Sequence, residues 1–340
     1  MGKIVLISCV SKKFSIKSLA KDMYISPLFK YNLEYAKSLD FDNIFILSAK
    51  YGLLNLDEEI EPYNETLNSK NIKERKEWAR IVLEKLKYKV DLDKDEFIFL
   101  AGEKYREFLI PYLKNYKIPL EGLGIGKQLG LLKNISRCNA VHNIFNSRKK
   151  FSFPFNEEEI SLNGIYILFE KDELGHKMNR IVRVGTHTGK NQLRARLSQH
   201  FVNENKDRSI FRKNIGRALL NKKNDSYLKV WEIDFTTKEA KEKFGHLIDK
   251  EKQEQIEKEV TNYIRDNFSF VILEINNKEE RLELESKIIS TISLCKACFP
   301  SDNWLGNFSP KEKIRQNGLW LVNELNKKPL EDKDIKRLRC

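Results

Sequence analysis

No run of apolar residues in this 340-residue chain approaches the length needed to cross a bilayer, which sets aside a helical membrane protein and a membrane partner. The opening residues, MGKIVLISCVSKK, enter a strand-like pattern at once and lack the apolar core and cleavage site of a secretory leader. Gly2 alone is no myristoylation signal, because the sixth position of that pattern needs Ser or Thr and holds Leu6. Cysteine is scarce and scattered. Cys9, Cys138, Cys295, Cys298 and Cys340 form no disulfide framework and suit a reducing, cytoplasmic compartment. Internal repeats and low-complexity tracts are absent, and the length suffices for two globular domains, each with its own core.

Acidic residues are the minority, 49 against 62 Lys and Arg, for a formal charge of +13. The excess is concentrated. Between His176 and Lys223, thirteen Lys and Arg meet only Glu204 and Asp207, a local excess of +11. Phosphate backbones attract such a patch by charge neutralisation and counterion release. The plain alternative is a solvated lysine-rich surface, but seven of the thirteen are arginine, the better phosphate fork. DNA is the expected partner, bound through Arg183, Arg194, Arg208, Arg212, Lys213 and Arg217.

The first half alternates short β-branched and aromatic runs (3–8, 43–48, 96–102) with helical stretches (17–39, 71–89). Trp78, Ile81, Val82 and Leu86 share a face of the second stretch. This alternation predicts an α/β domain over 1–146 with a mostly parallel sheet. The segment 147–159, with its charge switch and proline, reads as a linker. Beyond it the pattern predicts a hairpin (164–186), helices (192–201, 209–221), a strand (227–235), a helix (238–265), a strand (268–275) and a helix (278–298). That is a small mixed sheet flanked by helices over 160–325, an α+β domain, followed by a basic tail, 326–340.

The hairpin begins Gly164-Ile165-Tyr166, and its second strand closes Arg183-Val184-Gly185. Three residues alone say little; two downstream helical segments say more. In LRARLSQH (193–200) Arg196 and His200 stand four apart on one helical face. In LELESKIIST (282–291) Glu285 accompanies an apolar stripe, in better register than its neighbour Glu283. A tyrosine, an arginine, a histidine and a carboxylate suit metal-assisted phosphodiester cleavage. The carboxylate holds a hard cation, the arginine meets phosphoryl oxygens, and tyrosine or histidine takes a proton.

On these motifs residues 160–325 resemble the GIY-YIG nuclease superfamily. RVGTH (183–187), RSIFRKNIGRALL (208–220) and NWLGNFSPKEKIRQNGLWLVNEL (303–325) resemble its branch whose second strand reads R-V-G-T-H. The resemblance implies a GIY-YIG-type endonuclease using Mg²⁺ or Mn²⁺. Tyr166 would be base or water-orienter, Arg196 the phosphate clamp, Glu285 the metal ligand, and His200 a histidine near the reaction centre. Arg183 stands where the second tyrosine is missing, and His187 is the candidate to fill that role. Asn303 and Asn307 lie where relatives carry an asparagine, whereas Trp304, Leu305, Leu319 and Trp320 read as core. Cys295-Lys-Ala-Cys298 is half a zinc motif with no second pair, which predicts two buried thiols at a helix end.

LISCVSKK (6–13), KDMYISPLF (21–29), ILSAKYGLL (46–54), PYNETL (62–67) and LAGEKYREFL (100–109) resemble uncharacterised bacterial and phage α/β domains, distantly YaaA-like. Ligands of open α/β sheets gather at the C-terminal ends of the strands. There the sequence sets Cys9, Lys50, Tyr51, Gly102 and Tyr105, candidates for a nucleotide or base pocket that assists target recognition. Two other readings stand beside the endonuclease: a non-catalytic nucleic-acid-binding protein on a nuclease fold, and a nucleotide- or base-acting N-terminal enzyme anchored to DNA by the C-terminal half. Retention of Tyr166, Arg196, His200 and Glu285 together favours the endonuclease. A homo-oligomer is left open.

Overall fold

The structure is a computed structural model describing residues 1–339; Cys340 lies outside the described residues. It resolves into two compact units, Met1–Ser136 and Arg137–Cys340. No helix among the described residues is long and apolar enough to cross a membrane.

The first unit is built on a five-stranded sheet in the order Gly52–Asn55, Asn43–Ser48, Lys3–Ser8, Glu96–Leu100, Asn115–Lys117. All neighbours are parallel except the first pair, an antiparallel hairpin turned at Gly52. Val5, Leu6 and Ile7 of the central strand are fully buried, as expected of a strand covered on both faces. The helix predicted from residue 17 starts later, at Pro27–Ser38. Ser26 caps it by accepting the Phe29 N–H (3.2 Å), and proline occupies its first turn. The helix Ile72–Lys87 carries an Asn71/Glu74 capping box and buries Trp78, Val82 and Leu86. Ile81, expected on the same face, is 40% exposed; Leu83 and Ala79 take the buried positions beside Trp78.

The second unit holds a four-stranded antiparallel sheet in the order Met178–Gly185, Gly164–Gly175, Phe268–Glu274, Phe151–Ser152. The expected linker at 147–159 is therefore structural. Phe151 pairs with Phe270, and Phe151, Phe153 and Phe155 pack on a core that includes Phe201, Phe211, Trp231 and Phe270. An alternating Phe-x-Phe-x-Phe pattern explains why: it is an edge-strand signal that a proline had obscured. The boundary lies earlier, inside the helix Ile125–Asn146. The expected basic tail is also packed, since Asp332–Arg339 is helical with Ile335 and Leu338 buried. The strand predicted at 227–235 is instead a helical turn, Leu228–Trp231, with Trp231 fully buried. The helix predicted at 238–265 is two, Lys238–Phe244 and Lys250–Asn267, because Asp249 caps a fresh start by accepting the Lys252 N–H.

Candidate active site

Tyr166 lies opposite Gly185 across the hairpin. Its ring covers that glycine so closely that a Cβ there would stand 2.2 Å from the phenolic oxygen. The tyrosine is buried, and its Oη is 2.8 Å from His200 Nε2. His200, from the helix Leu193–Phe201, is fully buried, with Nδ1 2.7 Å from Ser209 Oγ. Ser209 Oγ also accepts the Arg212 N–H (3.2 Å) and so caps the helix Ile210–Lys222. Burial, then the charges of Arg183, Arg196 and Arg212, hold the His200 pKa well below the usual histidine range, so the imidazole is neutral.

A cleft of about 430 Å³ is lined by Thr186, His187, Gln192, Arg196, Gln199 and Glu285. Three of the expected catalytic residues, His187, Arg196 and Glu285, thus share one cleft although they come from separate elements, whereas Tyr166 and His200 are buried outside its wall. Arg196 donates to Gln199 Oε1 (3.0 Å) and to the Arg208 carbonyl (3.1 Å). Burial pushes the Glu285 carboxyl up to about 7, and Glu324 adds to the effect against the opposing charges of Arg183 and Arg196. Glu283, the weaker alternative, is exposed and paired with Lys287 (2.6 Å).

Arg183 stands two residues before Gly185 in the second strand of the hairpin. It is buried, donates from Nη1 to the Trp320 carbonyl and sits over the Phe211 ring, Cζ 5.2 Å from the centroid. Its buried Nε has no hydrogen-bond partner among the described residues. Its charge acts on both Glu285 and His200, which ties the cleft to the tyrosine–histidine pair. His187 also lines the cleft, but its ring is occupied. Nδ1–H donates to the Gly189 carbonyl (2.6 Å), and Nε2 accepts the Gly164 N–H (3.3 Å). His187 thus pins the loop after the hairpin and at the same time lines the cleft of Arg196 and Glu285.

The expected DNA-binding set needs a larger correction. Arg183, Arg212, Lys213 and Arg217 are all under 9% exposed and therefore present no surface to a phosphate backbone. Arg212 pairs with Glu257 (2.7 Å), Arg217 with Glu232 (2.6 Å) and Lys213 with Asp207 (3.5 Å). The local excess of +11 is a count along the chain, whereas Glu232 and Glu257 neutralise it from later segments. Arg194 is half-buried and donates to the Ile160 carbonyl (2.8 Å). Arg208, with Lys177, Lys190, Lys222 and Lys223, remains exposed. Asn307 caps its own loop by donating to the Ser301 and Asp302 carbonyls, and Asn303 is exposed. Trp304, Leu305, Leu319 and Trp320 are core, as expected.

In the first unit Cys9, Gly102 and Tyr105 line a cavity of about 580 Å³ at the C-terminal ends of Lys3–Ser8 and Glu96–Leu100. Cys9 Sγ is 3.2 Å from Tyr105 Oη. Lys50 and Tyr51 are not in its wall: Tyr51 donates to the Glu61 carbonyl (3.2 Å), and the Lys50 ammonium lies 5.1 Å from the Tyr51 ring. The pocket keeps the first and third of the strand ends and draws its remaining wall from Thr66, Asn68 and the segment 118–128. Sequence reasoning missed Ser209 as the anchor of His200. It also missed the partners of Cys298, although Cys138 and His142 stand at the i, i+4 spacing of one helical face.

Residues 4–134 match a family of unknown function, DUF6884. No curated protein and no solved structure gives a match. Residues 136–338 match the GIY-YIG domain, over the whole of the unit that contains the hairpin, the tyrosine–histidine pair and the Arg196–Glu285 cleft. The chain belongs to the GIY-YIG family, and its C-terminal unit is a domain of the nuclease type.

Proposed function

We propose that this protein is a divalent-cation-dependent endonuclease that hydrolyses phosphodiester bonds in DNA, with the N-terminal unit assisting target recognition. The observation that carries the reading is the single cleft shared by Arg196 and Glu285. Glu285 fits a hard cation. It is an oxygen donor in an open cleft, and burial makes its ionised form costly until a cation compensates. When bound there, Mg²⁺ or Mn²⁺ supplies positive charge to the phosphoryl oxygens and acidifies a water.

The chain's own residues then divide the work. Arg196 donates to the phosphoryl oxygens, whose charge grows toward the transition state. Tyr166, whose hydroxyl lies over Gly185 next to the cleft residue Thr186, orients the attacking water, which would lose its proton to solvent. His200 is a poor final home for the proton, since burial and three guanidinium groups oppose its charging. It serves instead as a neutral partner that fixes Tyr166 Oη through its 2.8 Å bond. Tyr166→Phe keeps the ring that covers Gly185 and removes only the hydroxyl. Turnover is expected to fall roughly 10²-fold, the cost of a misplaced nucleophile, as read in single-turnover plasmid cleavage.

The N-terminal reading rests on the Cys9–Tyr105 cavity, whose volume of about 580 Å³ suits a small-molecule or base ligand. The deciding experiment incubates the full chain with plasmid and phage DNA and Mg²⁺ or Mn²⁺. Cation-dependent cleavage is expected. Binding without cleavage under every condition would favour the non-catalytic reading, and full activity in chelator would remove the cation.

A further inference from the structure

The helix Ile125–Asn146 carries Cys138 and His142 one turn apart. The strands Gly164–Gly175 and Met178–Gly185 are joined through His176 and Lys177, both left-handed (φ 53° and 64°). Two-residue turns of this kind ordinarily use Asn-Gly or Gly-Gly, so the fold holds a histidine in a conformation that its Cβ disfavours. Beyond the helix Lys278–Ser293 the chain reads Cys295-Lys-Ala-Cys298. All three segments meet at one buried point within the second unit. The ligand atoms of Cys138, His142, His176 and Cys298 lie within 4.8 Å of one another, and every one of these residues is buried. Cys298 Sγ is 3.5 Å from His142 Nε2, and Cys295 Sγ is 3.5 Å from His176 Nε2.

Further details aim this cluster at a ligand. The thiols of Cys138, Cys295 and Cys298 are free, not bridged. His142 Nδ1–H donates to the Cys138 carbonyl (2.9 Å), the bond that fixes the tautomer of a metal-ligating histidine and leaves Nε2 as the donor atom. His176 Nδ1 is buried with no hydrogen-bond partner among the described residues. Gly175 is pressed against the cluster: a Cβ there would stand 2.5 Å from Cys298 Sγ and 3.3 Å from His142 Nε2. A pocket meant only to exclude water would place aliphatic side chains here.

We propose that Cys138, His142, His176 and Cys298 form a structural zinc site, with Cys295 beside it. Thiolate and imidazole donors select zinc over the hard cations that suit Glu285, and a closed four-ligand site is structural. In the metal-free ring His142 Nε2 accepts the Ile181 N–H (3.2 Å), a bond that the ion would displace when it takes the same lone pair. The ion would join the Ile125–Asn146 helix, the hairpin turn and the Cys-x-x-Cys knuckle, three segments far apart in sequence. Nothing in this assignment depends on the nuclease reading.

The test uses the full chain, expressed with zinc and purified without chelator. Elemental analysis is expected to give about one zinc per chain, released to a colorimetric chelator only after a mercurial modifies the thiols. Cobalt(II) in its place should show the visible bands of a tetrahedral thiolate site. Cys298→Ser and His176→Ala should lose the metal, while Cys295→Ser should keep it. Because the first two variants can fail to fold, the wild-type metal content and cobalt spectrum decide without them. Folded wild-type protein holding neither metal overturns the proposal, as does zinc retained by Cys298→Ser. Thiol titration of the denatured, chelated chain should count all five cysteines; a count lower by two reports a disulfide and overturns it as well.

Discussion

A Glu285→Gln chain is expected to fold, to bind DNA with undiminished affinity and to cleave nothing measurable. Glutamine keeps the shape of the side chain and removes its charge. The cation then loses its protein ligand, and with it several kcal/mol of transition-state stabilisation, roughly 10³-fold or more in rate. Binding is spared because one fewer carboxylate cannot weaken attraction to a polyanion. The same group sets a pH dependence. Its carboxyl is raised from 4.5 to about 7, so the cation-free fold holds the proton more tightly than the unfolded chain. Stability should therefore fall as pH rises from about 4.5 to about 7, and the glutamine variant should not show that fall. Below about 7 a cation must displace the proton, so the concentration for half-maximal cleavage should rise about tenfold per pH unit. Cleavage by the variant within a factor of about ten of wild type, with anisotropy showing equal binding, would dismiss Glu285 as the ligand.

The second large effect falls on stability. Arg212 is fully buried and each of its guanidinium nitrogens has a partner: Nε and Nη2 donate to Glu257 Oε2 (3.2 and 2.7 Å), Nη2 also to the Glu257 carbonyl (3.0 Å) and Thr261 Oγ1 (2.8 Å), and Nη1 to the His200 carbonyl (3.2 Å). Arg212→Ala leaves the buried Glu257 carboxylate without its counter-charge, a loss of about 3–5 kcal/mol for such a pair. Against a usual total of about 5–15 kcal/mol, that is a large share of the stability of a domain. Urea denaturation should show the unfolding free energy falling by that amount, with little change on adding salt, since a buried pair is poorly screened. Arg212→Met with Glu257→Leu should lose less than Arg212→Met alone, because no lone charge remains. A single-variant loss below about 1 kcal/mol would mean that the pair is solvated.

The features legible in the sequence are local or strongly patterned. The strands at 3–8 and 43–48 come from short β-branched and aromatic runs and the hairpin from two apolar strand patterns about a polar turn, and the structure keeps all three. Arg196 and Glu285 belong to motifs with fixed helical spacing, and they meet in one cleft. Charge is less legible, because counting along the chain ignores partners that arrive from elsewhere: Arg212 finds Glu257, and Arg217 finds Glu232. The thiol–imidazole cluster is hidden for the same reason. Cys298 has no ligand-bearing partner near it in sequence except Cys295, while its companions Cys138, His142 and His176 precede it by more than a hundred residues. Proline misleads in the third case, giving Phe151–Ser152 the look of a linker when its phenylalanines belong to the core.

That short strand has a consequence for any shortened form of the protein. Phe151–Ser152 pairs with only two residues, Ser269 and Phe270, yet it occupies the outer side of a strand whose other side is taken by the hairpin. An uncovered strand border is a template on which a second molecule can stack its own backbone. A fragment begun at residue 160 would expose that border together with the aromatic face of Phe270, and would self-associate into aggregates. One begun at residue 137 would carry its own guard against doing so.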